Sequence, residues 1–134
     1  MATKKFLYMN RKAPHGSIYA LESLEVVLIG AAFEQDVSLA FVDDGVFQLL
    51  KNQNTKAIGS KNFSPTYKAL GDYEVTRIYV EKESLQARGL GIADFMARVY
   101  VDEYEDWAEK DSIKLVSSAE LAEIIDQHDV LLNF

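Results

Sequence analysis

Short apolar segments alternate along the chain with longer segments in which apolar residues recur at helical spacing. The short segments predict strands at residues 6–9, 37–42, 75–80, 113–116 and 130–134. The longer segments predict helices at residues 17–33, 64–71, 84–88 and 118–127, with a further short helix at 46–50. This alternation predicts a single three-layer α/β/α domain over residues 1–134, with a mostly parallel sheet of about five strands.

The first predicted helix, with Ser17 as its N-cap, contains an uninterrupted apolar stretch at residues 26–33. A helix that covers a sheet normally keeps one polar face, so this stretch needs a cover on its outer side as well. We expect another subunit to supply it, although a helix of the same domain or a partly extended conformation would also account for the pattern. The candidate interface residues of this helix are Val26, Val27, Leu28, Ile29 and Phe33.

Residues 92–111 are ambiguous in their pattern. Met96, Tyr100, Tyr104 and Trp107 would share one face of a helix, whereas residues 99–101 would suit a strand. Six acidic residues lie between positions 102 and 111, within an extended acidic segment at about 94–115. Such a run is usually a solvated surface, but its aromatic residues make Tyr104 and Trp107 candidate contacts for a basic partner.

The loop after the first strand contains Arg11, Lys12 and His15 just before the first helix. Folds of this class bind ligands at such positions, and two cations next to helix-terminal amides suit an anion or an acidic partner. The glycine pattern of a phosphate-binding loop is absent, and Pro14 and Gly16 also explain the loop as a simple turn. His15 has no acidic residue nearby in the sequence to orient its ring, so a catalytic role is not expected.

Asp43 and Asp44 follow the second strand, as does the acidic pair that holds a divalent ion in receiver-type signalling domains. The third strand ends with Glu81 where a receiver requires aspartate, so we expect the aspartates to shape the turn before Gly45. The chain has only two histidines, and they are far apart in sequence. We therefore expect neither a metal ion nor a cofactor.

Composition narrows the possible chemistry further. The 134 residues carry a net charge of -7 and include no cysteine, which excludes a disulfide, a thiolate metal site and any sulfur nucleophile in this polypeptide. The acidic balance disfavours direct binding to nucleic acid. Neither a secretory signal nor a sufficiently long apolar stretch for a membrane span is apparent, so we expect a cytoplasmic protein.

Several short motifs occur together at characteristic spacings: Ala-Pro-His-Gly at 13–16, Asp-Gly-Val-Phe-Gln-Leu-Leu at 44–50 and Arg-Gly-Leu at 88–90. With them, residues 4–91 and 116–134 resemble the DsrF/TusC proteins of the DsrE-like sulfurtransferase family. The longer acidic segment and Lys-Asn-Phe-Ser-Pro-Thr-Tyr at 61–67 favour the DsrF type.

The resemblance implies a DsrEFH-type heterohexamer with DsrE/TusD-like and DsrH/TusB-like sister subunits and a DsrC/TusE-like sulfur carrier. In such complexes the DsrE/TusD-type subunit bears the cysteine that accepts a persulfide near a strand end. This chain has Tyr79, Val80 and Glu81 around that position, so the resemblance implies a non-catalytic structural or docking subunit, with dissimilatory sulfur oxidation as the expected pathway. A TusC-type role in tRNA 2-thiouridine synthesis and a stand-alone anion-binding or signalling domain are the alternatives.

Overall fold

The computed structural model describes residues 3–96, 99–102 and 105–134. Its strands, numbered along the chain, are β1 (Lys5–Asn10), β2 (Asp36–Phe41), β3 (Ile78–Glu81), β4 (Val99–Asp102), β5 (Ala108–Asp111), β6 (Ile113–Val116) and β7 (Val130–Asn133). A five-stranded sheet has the order β6-β3-β2-β1-β7, and all of its neighbouring strands are parallel. β4 and β5 form a separate antiparallel pair.

The helices surround this sheet. They are α1 (Tyr19–Ala32), α2 (Ala69–Asp72), α3 (Lys82–Ala87) and α4 (Ser118–Asp126), and short 3₁₀ helices occur at Asp43–Leu49, Lys56–Ile58, Ser64–Lys68 and Ile92–Asp94. In the part of the chain that the structure describes, no helix has both the length and the apolar character that a membrane span requires.

The sheet separates two apolar cores. The larger core lies on the side of α1 and α2 and includes the buried Leu24 and Leu70. The smaller core lies on the opposite side, where Leu121 of α4 packs. Successive strand residues point to opposite faces, so β1 contributes Tyr8 to the larger core and Leu7 to the smaller one. Burial on both faces explains why the strands are continuously apolar, and the predicted three-layer α/β/α fold is confirmed.

The two long helices begin differently. The prediction of Ser17 as an N-cap is wrong, because α1 begins at Tyr19 after Ile18 and no side chain caps its first turn. At α4, the Ser117 hydroxyl accepts a hydrogen bond from the Glu120 amide, and the Glu120 carboxylate accepts one from the Ser117 amide. This capping box satisfies two amides that the helix itself cannot pair, so α4 forms where it was predicted.

The third strand is shorter than its apolar pattern predicts. The Val75 amide donates to the Leu70 carbonyl at 2.8 Å, so Val75 belongs to the turn that ends α2. Regular pairing with β2 and β6 begins at Ile78. Val75 is nevertheless buried in the larger core, which explains its apolar character without a strand.

The ambiguous segment contains the antiparallel pair of β4 and β5, so the strand alternative for residues 99–101 is confirmed and the helical alternative is wrong. The Ala108 amide donates to the Glu105 carbonyl at 3.0 Å, while Asp106 and Trp107 between them have φ angles of 55° and 60°. These two left-handed residues form a tight turn immediately before β5, whose Ala108 pairs with Asp102 of β4. Trp107 is 68% exposed at the tip, and Tyr104 lies outside the described residues.

Candidate functional site at the carboxyl edge of the sheet

Three neighbouring parallel strands end at one edge of the sheet, here called the carboxyl edge. β1 ends at Asn10, β2 is followed closely by Asp43, and β3 ends at Glu81. Gly45 approaches β1 so closely that a Cβ atom on it would stand 1.9 Å from the Asn10 carbonyl oxygen. The same oxygen accepts a hydrogen bond from the Val42 amide at 3.1 Å. The carboxyl edge therefore requires glycine at position 45 for steric reasons.

The Asn10 side chain is buried and makes hydrogen bonds through both of its polar atoms. Its Nδ2 donates to the carbonyl oxygens of Tyr8 and Ala40, and its Oδ1 accepts from the Ser23 hydroxyl at 2.5 Å. Because Ser23 belongs to α1, these bonds fix the start of that helix against the ends of β1 and β2. Burial of an amide is tolerated here because its donors and acceptor are paired.

Glu81 lies at the centre of a hydrogen-bonded network. The Ser84 hydroxyl donates to Glu81 Oε1 at 2.6 Å and accepts from the Asp43 amide at 2.9 Å. The Ser118 hydroxyl contacts the carboxylates of both Glu81 and Glu83, and the Ser118 amide donates to Glu83 at 2.6 Å. The hydroxyl and then the amide of Ser118 hold the pKa of Glu83 below its usual range. This network joins β3 and α3 to the start of α4.

A cavity of about 340 Å³ lies beside the network, between α4 and the ends of β1 and β7. Leu121 and Leu131 contribute to its apolar lining, while Arg11, Asp43 and Glu81 supply charged groups. Its volume is at the small end of the range for ligand pockets. Since it contains carboxylates as well as a guanidinium group, the cavity has no clear preference for an anion.

The loop predicted to bind an anion is held by the amide side chains of the buried Gln48 and the partly buried Gln53. Gln48 Nε2 donates to the Lys12 carbonyl at 2.8 Å. Gln53 Nε2 donates to the carbonyls of Gln48 and Leu50, both at 3.0 Å, so its Oε1 is left to accept from His15 Nε2 at 3.1 Å. The proton on His15 Nε2 is thereby committed to a structural hydrogen bond. The sequence signal for Gln48 is a polar residue inside an otherwise apolar run at 46–50.

The three residues predicted for this loop do not converge on one site. Arg11 lines the cavity, whereas the Lys12 ammonium group lies 5.9 Å from the ring centroid of Tyr19. His15 contacts the edge of the Phe63 ring, with 5.5 Å between ring centroids. Of the three, Arg11 is the residue that lines the cavity, and an anion-binding or partner-binding role for the loop stays a prediction.

Asp43 and Asp44 have separate local roles. Asp43 has a φ angle of 51°, a left-handed conformation that aspartate tolerates in turns. Asp44 accepts hydrogen bonds from the Arg88 guanidinium group, the shorter at 3.0 Å. Within the described ranges, no group of three or more histidine, aspartate or glutamate side chains is arranged to hold a metal ion.

The outer surface of α1 is apolar in part. Val26, Ile29 and Phe33 are 38%, 59% and 78% exposed, so they form an apolar patch, here called the α1 patch. Val27 was expected in the interface but is fully buried in the larger core, and Leu28 is partly buried against that core. The uniform apolar run concealed this division, because periodicity cannot identify the inner face when every position is apolar.

The fold and the carboxyl edge together define a class: parallel α/β domains in which a hydrogen-bonded carboxylate, without any thiol, stands at the end of the third strand. The family follows from comparison with known proteins. The chain belongs to the DsrE/DsrF-like family, whose model matches residues 4–134, and the resemblance noted in the sequence is confirmed.

Individual relatives agree with this assignment. The chain is 54% identical over 132 residues to the intracellular sulfur oxidation protein DsrF of Allochromatium vinosum, covering 98% of this chain and 96% of that protein. It is 38% identical over 89 residues to a TusC homolog of Vibrio parahaemolyticus, covering 66% and 75% respectively. The crystal structure of the ychN protein from E. coli has the same fold, with a TM-score of 0.72 at 19% identity over 98% of this chain and 100% of that one.

Proposed function

We propose that this chain is a non-catalytic structural and docking subunit of an intracellular sulfur-relay complex, acting in the cytoplasm in dissimilatory sulfur oxidation. The observation that carries the proposal is Glu81, a hydrogen-bonded carboxylate near the position where catalytic relatives are expected to bear cysteine. No other residue can replace that thiol, since none of the 134 residues is a cysteine. A carboxylate cannot hold a persulfide, so sulfur must be bound by another subunit.

The α1 patch supports the proposal that other subunits cover part of this chain. Three large apolar side chains exposed on one helix favour burial against a partner. The partners proposed are a DsrE/TusD-like and a DsrH/TusB-like sister subunit in a heterohexamer, with a DsrC/TusE-like protein as the sulfur carrier. The exposed Trp107 and the surrounding acidic hairpin are proposed to contact a basic surface in this assembly.

The decisive experiment compares the chain alone with the chain co-expressed with both sister subunits. Light scattering is expected to show self-association or poor solubility of the isolated chain, and one defined complex after co-expression. When the complex receives radiolabelled sulfane sulfur, the label should be found on the sister subunit that carries the strand-end cysteine. If the isolated chain accepts and hands over the label, or is a clean monomer without affinity for the sisters, the proposal is wrong.

A matched pair of variants tests the α1 patch within the same assay. Phe33→Ser removes an apolar side chain worth about 2 kcal/mol on burial, so we expect the affinity for the sisters to fall about thirtyfold. Ile58→Ser removes a large exposed apolar side chain from a separate 3₁₀ helix and should leave assembly unchanged. Equal affinities of the two variants would exclude the patch from the interface.

The TusC-type alternative, a role in tRNA 2-thiouridine synthesis, is supported by the similarity to TusC homologs. The match to DsrF is closer and covers nearly the whole of both chains, which favours sulfur oxidation. Deleting the gene in its own organism separates the two: loss of sulfur oxidation with normal tRNA thiolation supports the DsrF-type role, and the reverse result supports the TusC-type role.

A further inference from the structure

A second cavity opens at the opposite edge of the sheet, here called the amino-edge cleft. Its volume is about 440 Å³, and it lies where α1 and α2 end and β2 begins. The partly buried Ala31 contributes apolar surface to its lining, and Tyr73, 46% exposed, provides an aromatic ring; Val37 and Val75 also line it but are nearly all buried in the larger core. Ligands of parallel α/β folds bind at the carboxyl edge, so this cleft is on the wrong side of the sheet for a substrate.

The amino-edge cleft carries an excess of negative charge. Glu34, Asp36 and Glu74 line it together with one basic residue, Arg77. Arg77 forms an ion pair with Asp36, so its charge is neutralised within the chain. Glu34 and Glu74 are exposed, and neither forms an ion pair with a residue that the structure describes. Two carboxylates therefore remain available to a cation entering the cleft.

The cleft lies next to the end of α1, which contributes Ala31 to its lining. Phe33, the most exposed residue of that patch, immediately precedes Glu34 in the chain. Glu34 and Glu74 each follow the end of a helix in a left-handed conformation, with φ angles of 61° and 62°. The α1 patch and the negatively charged cleft therefore adjoin at residues 33 and 34 of the chain.

We infer that the amino-edge cleft receives a lysine or arginine side chain from the sister subunit that covers the α1 patch. This inference rests on the proposed function and specifies the chemistry of the partner: an apolar ridge followed by a basic residue. The aliphatic part of such a side chain packs against Ala31 and the Tyr73 ring, while its charged end meets Glu34 and Glu74. A second copy of this chain fits poorly, because the exposed face of α1 also contains Glu22 and Glu25 but no basic residue.

The test is charge reversal in the co-expressed complex. The double variant E34K/E74K should bind the sister subunits at least tenfold more weakly than the wild type, and the loss should shrink as salt is raised. The milder E34Q/E74Q variant, which keeps the side-chain shape, should show a smaller loss in the same direction. The control is E123K/D126K, which makes the same charge change on the exposed side of α4. These positions leave Glu120 of the α4 capping box unchanged.

The outcomes separate this inference from the proposed function. Reduced affinity of E34K/E74K, with the control unchanged and both variants folded by circular dichroism, supports the cleft. Wild-type affinity of E34K/E74K, while Phe33→Ser still weakens assembly, overturns the cleft and leaves the subunit role intact. If the wild-type chain does not bind the sisters at all, both the subunit role and the cleft inference fail.

Discussion

Replacing Gly45 with alanine should be among the most damaging single-methyl additions in this protein. The added Cβ would stand 1.9 Å from the Asn10 carbonyl oxygen and 2.6 Å from its carbonyl carbon. Both neighbours are backbone atoms, so no side chain can rotate away to make room. The segment after β2 would have to withdraw by more than 1 Å, on the order of the shortfall from a normal van der Waals contact.

Such a withdrawal breaks the hydrogen bond from the Val42 amide to the Asn10 carbonyl, now 3.1 Å long, and displaces the fully buried Val46 and Leu49. Loss of the buried hydrogen bond costs about 1–3 kcal/mol and overpacking about 1–3 kcal/mol more. We therefore expect Gly45→Ala to lower the free energy of unfolding by about 4 kcal/mol, a large fraction of the 5–15 kcal/mol typical of a domain.

Urea denaturation followed by circular dichroism measures this change through linear extrapolation. Gly71→Ala is the matched control, because a Cβ at that position meets no atom within 4 Å. That control should be neutral or slightly stabilising, since alanine favours a helix more than glycine does. If Gly45→Ala unfolds within about 1 kcal/mol of the wild type, the close approach of the two backbone segments does not exist in solution.

Two further predictions concern polar groups. Ser23→Ala removes the donor to Asn10 Oδ1 and leaves a buried acceptor unpaired, so the free energy of unfolding should fall by about 1–3 kcal/mol in the same urea assay; an unchanged value would contradict the hydrogen bond. Hydrogen bonds from serines at the start of α4 lower the pKa of Glu83 and of Glu120 below the usual 4.5. The stability that these two carboxylates contribute is therefore complete above pH 4.5 and is lost as the pH falls through their lowered folded-state pKa values. The melting temperatures of E83Q and E120Q should thus depend less on pH between about 6 and 2 than the melting temperature of the wild type. Plots of melting temperature against pH that run parallel for variant and wild type would contradict the pKa shifts.

Much of the fold was predictable because burial on both faces makes parallel strands continuously apolar, as in β1 and β2. The turn before β5 was not predictable, because Asp106 and Trp107 adopt left-handed conformations there. In a sequence, glycine or asparagine usually indicates such a conformation. The start of α1 was misplaced because Ser17 is a favourable N-cap type that the structure does not use. Both wrong predictions have the same cause: the residue types at these positions do not indicate the backbone conformation that the residues adopt.

The candidate site was less predictable than the fold. The network around Glu81 depends on Ser118, which is 37 residues away in sequence, and no local pattern reveals that pairing. Gly45 and Asn10 likewise come together only when β1 and β2 pair. Periodicity predicts only which residues share one face of a helix or strand. The family was indicated instead by several motifs that lie far apart in the sequence and occur together.

The burial free energy available from the α1 patch limits the affinity that the patch can provide by itself. Val26, Ile29 and Phe33 at their observed exposures represent about 4 kcal/mol of burial energy, which corresponds to a dissociation constant of about 1 mM even before the entropy of association is subtracted. An assembly that persists at micromolar concentrations needs about 8 kcal/mol. A stable subunit contact must therefore extend beyond the patch. The amino-edge cleft, which begins at the residue after Phe33, adds charged groups next to it. Its two exposed carboxylates supply only part of the missing free energy, because exposed ion pairs are weak, so further contact surface must take part as well.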